Sequence, residues 1–273
     1  MISVVILTLN EATSLQRSLD SVAWSDDILV VDSGSTDATV EIARAAGARV
    51  VSRGFDSFAG QRNFAMETGA FRNQWVLHLD ADEVVTPALR DELQARAGSG
   101  DDTGFPVYRV PSRLIFMGQW LRHAGMYPAY QVRFGRSGAL RFVDHGHGQR
   151  EVQPPGQVGT CANPLDHYNF SKGINDWFAR HLRYARREAG QARADAGGAL
   201  PLRGLAAADA TQRRRALKQL AQRLPLRPLL RFLYVYIIKA GVLDGRAGFH
   251  YAALMGIYQY MIDLNELELK GRM

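Results

Sequence analysis

The sequence holds one cysteine, Cys161, among 273 residues. A lone cysteine excludes an internal disulfide framework and any multi-cysteine metal site, and it suits a reducing compartment. The common chemical signatures are missing as well: there is no G-x-G-x-x-G, no P-loop, no H-E-x-x-H and no nucleophile elbow. A dinucleotide oxidoreductase thereby loses its main support, and so do a P-loop NTPase, a zincin and an α/β-hydrolase. Long apolar runs are also scarce. The stretch Leu229–Lys239 is interrupted by Arg231 and ends in Lys239, and Ala247–Ile262 is 16 residues long and contains His250. A membrane span needs ~20 predominantly apolar residues, so neither qualifies. Met1–Leu9 reads as a strand with no basic segment before it, and no secretory signal is expected there.

What the chain does contain is uneven charge. The net charge is +6, yet residues 1–170 hold 15 Lys/Arg against 19 Asp/Glu, whereas residues 171–273 hold 18 against 8. An acidic front and a basic rear suggest two tasks. In the front half, apolar runs at Ile2–Leu9, Asp27–Val31, Arg49–Val51 and Trp75–Leu79 alternate with segments of helical spacing. That alternation predicts a doubly wound parallel sheet. Gly47 is placed to end the second helix, and Thr86-Pro87 to open the fourth. Beyond Gly98–Asp102 the pattern changes to strands with Gly and Pro breaks, read as an irregular, antiparallel addition over residues 101–170. Residues from Lys172 to about Arg193 turn helical and basic, and a low-complexity polar stretch follows at about 190–222.

The polar residues gather where strands end. Asn10-Glu11 follow the first strand, Asp32 and Asp37 the second, and Asp80-Ala81-Asp82-Glu83 the fourth. In open α/β sheets ligands sit beyond the carboxyl ends of the strands. Three acids beside an apolar strand are costly unless a cation neutralises them, and Mg²⁺ uses one or two carboxylates together with substrate phosphates. An acid ending the second strand can accept hydrogen bonds from a ribose or a base. The set therefore points to a nucleoside diphosphate with a divalent ion.

These residues carry a resemblance. The ordered combination Thr8-Leu9-Asn10-Glu11, Val30–Asp37, Gln61-Arg62-Asn63 and Leu79–Glu83 resembles family 2 glycosyltransferases of the GT-A fold. Pro225–Phe232 and Gly241–Phe249 resemble one branch, the bacterial lipopolysaccharide-core glucosyltransferases. The resemblance implies a Rossmann-like, mostly parallel sheet with helices on both faces and a helical C-terminal region. Residues 1–100 would bind the donor, 101–170 would form the acceptor side, and 171–273 would be a basic, membrane-associated helical region. It implies donor contacts from Thr8, Asn10, Glu11, Asp32, Asp37, Arg62 and Asp80, with Mg²⁺ or Mn²⁺ ligated by Asp82. Inversion by single displacement needs a base. Glu151 is the first candidate, then Asp144 and His147, although Gly148 stands where the family often has Glu. His167, Tyr168, Trp120 and Tyr130 are weaker substrate contacts, each as readily explained by packing.

The implied reaction moves a hexose from a nucleoside-diphosphate sugar, a UDP-hexose, to a lipopolysaccharide-core or other glycolipid acceptor. The implied location is cytoplasmic, peripheral on the inner face of the cytoplasmic membrane. Arg213, Arg214 and Arg215 would attract anionic lipid, and Phe232, Leu233 and Tyr236 would enter the interface. Two other readings stand beside this one. A nucleotidyltransferase would use a related sheet, but Thr8–Thr13 lacks the glycine-rich phosphate loop. A non-enzymatic protein binding anionic lipid or nucleic acid fits the pI of 9.6, though the basic balance is confined to the rear and nucleic acid is not expected.

Overall fold

The structure is a computed structural model that describes residues 1–98, 104–145, 148–152, 156–195 and 224–271. Its described residues divide into two compact units, Met1–Trp120 with Met126–Gly173, and Leu121–Gly125 with Ile174–Met273.

In the first unit, β1 (Ile2–Thr8), β2 (Ile28–Asp32), β3 (Arg49–Ser52) and β4 (Trp75–Asp80) run parallel in the order β3-β2-β1-β4. They are joined by α1 (Leu15–Ser21), α2 (Thr39–Ala45) and α3 (Phe58–Thr68). Right-handed crossovers dictate where those helices go. The chain steps outward from β1 to β3 through α1 and α2, then returns past β1 to β4 through α3. The first two helices therefore cover one face and the third the other. The core follows this division. Val4, Ile6, Leu15, Leu19 and Ala43 pack together on one side, and Val5, Leu29, Ala59, Ala65 and Val76 on the other. Strands covered on both faces are apolar throughout, which is why β1 reads as a continuous hydrophobic run.

After β4 come β5 (Glu83–Val85) and α4 (Pro87–Gly98), where Thr86 accepts from the Leu89 N–H and caps the helix. The sheet continues antiparallel through β8 (Ala129–Arg136) to β6 (Val107–Phe116). Short strands complete the edge: β7 (Gln119–Trp120), β11 (Val158–Thr160) and β12 (Leu165–His167). Here the irregular antiparallel addition needs correction. β11 and β12 both run parallel to β6, and β12 also pairs antiparallel with β5. Three-residue strands carry no periodicity, so only pairing reveals them. A separate hairpin, β9 (Phe142–His145) with β10 (Gly148–Glu151), is tied to α3: Asn63 donates to the Phe142 carbonyl at 2.8 Å and accepts its N–H at 3.0 Å.

The second unit is helical. It contains most of α5 (Gly173–Asp195), then α6 (Arg227–Leu233), a π-helical turn at Tyr234–Ile238, a 3₁₀ turn at Gly241–Asp244, and α7 (Gly245–Leu269). Among the described residues no helix is long and apolar enough to cross a membrane.

Candidate active site

The sheet order reverses between β1 and β4, and register brings the two strand ends level. Thr8 lies opposite Asp32, and Leu7 opposite Asp80. Such a switch point leaves a crevice beyond the strand ends. On its β2 side two loops are laced together. Asn10, in the left-handed region with φ of 54°, donates its N–H to Ser35 Oγ at 2.8 Å and accepts the Thr36 N–H at 2.8 Å. The Ala12 N–H donates to Asp37, and the Glu11 N–H to Thr39 Oγ1. Gly34, with φ of 91°, lets the second loop turn back.

Asp32 is the knot of that lacing. One carboxylate oxygen accepts from the Thr8 and Ser35 hydroxyls, and the other from the Gly34 and Ser35 N–H groups at 3.0 and 2.8 Å. Burial raises the Asp32 carboxyl, but the bonds from Ser35, Thr8 and Gly34 win and hold it below the ordinary range. Asp37 is lowered in the same way, its burial outweighed by bonds from Thr39 and Ala12. Glu11 goes up, chiefly through burial, even though its carboxylate meets Lys172 at 2.6 Å and Ser14 at 2.6 Å. Lys172 also donates to the Leu9 carbonyl at 3.1 Å, so it clamps the end of β1.

On the β4 side the acidic cluster is neutralised from within. Asp80 meets the Arg62 guanidinium at 2.6 Å through one oxygen and Arg133 at 2.6 Å through the other. Arg133 also pairs with Glu83, and Glu83 accepts the Asp80 N–H at 2.9 Å. Burial would raise Asp80, but Arg133 and Arg62 hold it well below the usual carboxylate range. Glu83 is pushed up by burial, with Asp80 adding to the rise and Arg133 opposing it. Arg62 is brought down to about 10 by burial and by Arg133 beside it. His78, buried under this cluster, is lowered far below its ordinary value by burial and by the two arginines, and its Nε2 lies 3.1 Å from the Met66 sulfur.

This geometry changes two expectations. Glu83 does not face the crevice: it begins β5, is buried, and belongs to the arginine cluster. Arg62 is buried too and reaches the site through Asp80, not by presenting its own N–H groups. The positive charge that three clustered acids require is supplied largely by two guanidinium groups. Asp82 is the exception. One of its oxygens lies 3.3 Å from His167 Nε2, and the other has no partner among the described residues. Burial would lower His167, yet the adjacent Asp82 carboxylate pushes it up to about 9. Among the described residues no group of three His, Cys, Asp or Glu side chains is arranged around a metal position. The donor set still fits a hard divalent ion: one carboxylate oxygen at a switch point, to be completed by phosphate oxygens.

The candidate bases lie on the hairpin. Glu151 pairs with Phe142, and Asp144 lies two residues further along β9. Paired residues and alternate residues of a strand share one face. Phe142 is buried with its ring centroid 5.8 Å from the Arg62 guanidinium, so Glu151 and Asp144 lie on the hairpin face directed at α3. Neither carboxylate has a hydrogen-bond or ion-pair partner among the described residues, and His147 lies outside them. Trp120 packs against Tyr127 with Arg113 over its ring, Tyr130 lies under Arg109, and Tyr168 under Arg17. Reading the sequence missed Arg133 and Lys172. Arg133 had a signal, a charge between Val132 and Phe134 in a buried strand, which demands a partner.

A sheet whose order reverses at a crevice lined by carboxylates belongs to the class of open α/β proteins that bind ligands at a switch point. A family model described as "Glycosyl transferase family 2" matches residues 3–147, more than half of the chain. The chain belongs to glycosyl transferase family 2. An uncharacterized glycosyltransferase of Rickettsia bellii (strain RML369-C) is 40% identical over 117 residues, 42% of this chain and 38% of that one. The lipopolysaccharide core biosynthesis glycosyltransferase LpsC of Rhizobium meliloti (strain 1021) is 32% identical over 174 residues, 59% of this chain and 60% of that one. Glucosyl-3-phosphoglycerate synthase from Mycobacterium tuberculosis, solved with Mg²⁺ and uridine-diphosphate, is 23% identical with a TM-score of 0.39, covering 54% of this chain and 60% of that chain. The matches to the Rickettsia proteins span about two fifths of those relatives' length.

Proposed function

We propose that the protein is an inverting glycosyltransferase that moves a hexose from a UDP-hexose to a lipopolysaccharide-core or other glycolipid acceptor. The observation that carries this is Asp82: among the described residues, it alone of the three clustered acids keeps a carboxylate oxygen without a partner. Asp82 would hold Mg²⁺ or Mn²⁺, which supplies charge neutralisation at the diphosphate when bound. The laced loops of Thr8, Asn10, Glu11, Asp32 and Asp37 would receive the nucleoside, with Asp32 acting mainly by fixing the N–H groups and hydroxyls of its loop. Asp80, set in place by Arg62 and Arg133, would face the ribose and sugar.

The acceptor hydroxyl oxygen then bonds to the anomeric carbon as the bond to the diphosphate breaks. Glu151 would take the hydroxyl proton, with Asp144 or His147 as the other candidates. The shared face of Glu151 and Phe142, next to Arg62, supports that order. With such an acceptor the protein would work at the inner face of the cytoplasmic membrane as a peripheral protein, and nucleic acid is not among its proposed partners. The test is release of free nucleoside diphosphate from a panel of nucleotide sugars, with glycolipid acceptor and with Mg²⁺, Mn²⁺ or chelator. Acceptor-stimulated release that chelator abolishes is the expected result, and release indifferent to both overturns the reading.

A further inference from the structure

The second unit ends its π-helical turn and begins its 3₁₀ turn around a tight knuckle, Ile237-Ile238-Lys239-Ala240-Gly241-Val242-Leu243. Its four large apolar side chains are held in water: Ile237 is 58% exposed, Ile238 73%, Val242 49% and Leu243 70%. Four such residues within seven positions make a patch, unlike the scattered apolar residues of an ordinary surface.

The backbone beneath them is fixed. Ala240 takes the left-handed conformation with φ of 56°, and Gly241 is so closely packed that a Cβ would lie 2.6 Å from the Val235 carbonyl oxygen and 3.1 Å from Ala124 Cβ. Just after the knuckle, the Asp244 carboxylate accepts the N–H groups of Arg122, His123 and Ala124 at 2.8 to 3.1 Å. The rings expected from the sequence to enter a membrane pack on one another. Phe232 and Tyr236, both half-buried, stack on one another at 5.4 Å, and both meet the exposed Phe249 edge-on. A rigid turn therefore presents aliphatic side chains outward.

We infer that this knuckle inserts into the surface of an anionic bilayer, with Ile237, Ile238, Val242 and Leu243 entering the acyl boundary and basic residues meeting the headgroups. Charge selects this occupant. From Leu224 to Tyr260 the only acid is Asp244, which is buried and fully engaged. Arg227 is neutralised by Asp263 and Glu266. Arg231, Lys239 and Arg246 have no carboxylate partner among the described residues, and Lys239 lies within the knuckle itself. A second copy docking through the same patch would set these cations against one another, because a two-fold contact brings like surfaces together. Anionic headgroups complement them, and aliphatic side chains flanked by Lys and Arg are suited to the interface. The inference rests on the proposed glycolipid acceptor only for its biological sense, since lipid binding requires no turnover.

Flotation of the full chain with vesicles tests it, using phosphatidylcholine alone or mixed with phosphatidylglycerol, at low and high salt. The chain should float with the anionic vesicles. Ile237→Ser/Ile238→Ser/Leu243→Ser should bind at least about tenfold more weakly at both salt levels, because apolar burial is not screened. Lys239→Glu/Arg246→Glu should weaken binding at low salt and little at high salt. If the triple variant folds poorly by circular dichroism, Ile238→Ser alone takes its place with a smaller loss in the same direction. Wild-type protein that ignores anionic vesicles overturns the inference, as does a triple variant that floats normally. Serine variants that only shift the monomer–dimer balance in light scattering assign the patch to a second copy and also overturn it. Thermal response to nucleoside diphosphate, measured on the same samples, keeps the two readings apart: its loss with flotation intact refutes the transferase assignment and leaves the knuckle standing.

Discussion

Asp82 and Asp80 are two residues apart, yet their surroundings give them opposite characters. Asp80 has both oxygens on guanidinium groups, and Asp82 keeps one oxygen without a partner among the described residues. Asp82→Asn preserves shape and removes charge, so turnover should fall about a hundredfold or more in saturating donor and metal with little change in melting temperature. Steady-state release of nucleoside diphosphate measures it. Arg133→Met should act differently. It leaves Glu83 buried and unpaired and Asp80 with a single arginine, so the fold should lose about 3–5 kcal/mol in urea titration. Asp32 brings a pH dependence whose sign is fixed. Its folded-state carboxyl is lowered, so its contribution is present above the ordinary carboxylate range and is lost as pH falls through the lower folded value. Asp32→Ala should cost about 1–3 kcal/mol near neutrality and weaken nucleotide binding, with kcat little changed. Stability curves of wild type and variant should converge in acid. Curves that stay parallel would remove Asp32 from its role in the loop.

At the scale of elements, one side chain of α3 hydrogen-bonds the hairpin β9–β10 while the buried Phe142 ring packs against the same helix. Asn63 completes two hydrogen bonds with the Phe142 backbone, and the hairpin carries Asp144 and Glu151. Asn63→Ala should lower kcat by loosening the candidate bases, while nucleotide affinity measured by calorimetry stays unchanged. An equal loss in affinity would mean that the hairpin serves the donor instead. The sequence shows this hairpin poorly. Gly146 and Gly148 mark a turn, but nothing local says that Phe142 will be gripped by an amide from another element, and the glycine at 148 interrupts the familiar His-Glu pattern. The four parallel strands were legible because burial on both faces forces an unbroken apolar run.

For the whole molecule, the three motif-bearing strand ends and the Gln61–Asn63 motif of α3 belong to the first unit, and the basic helices and exposed knuckle largely to the second. Nucleoside diphosphate should therefore raise the melting temperature of the full chain in Mg²⁺ or Mn²⁺ and much less in chelator. At a hundred times the dissociation constant the gain is ~2.7 kcal/mol, readily seen in a thermal-shift titration. Equal shifts with and without metal would remove Asp82 as the metal ligand. Family membership sets aside the nucleotidyltransferase reading that the alternating strands and helices leave open.

The sequence by itself determined the doubly wound sheet, the direction in which the strand ends point, and the order of Thr8, Asp32, Asp80 and Asp82 along the chain. These follow from apolar runs, caps and turns, all of which are local. Only tertiary structure decided how the charges balance. Arg133 reaches Asp80 from 53 positions away, Lys172 reaches the Leu9 carbonyl from 163, and Asp244 holds the Ala124 N–H from 120. Such partners leave no periodic trace, because a long-range ion pair constrains two positions and nothing between them. A carboxylate's identity is written in the sequence; whether it faces a guanidinium or a ligand depends on which strands become neighbours.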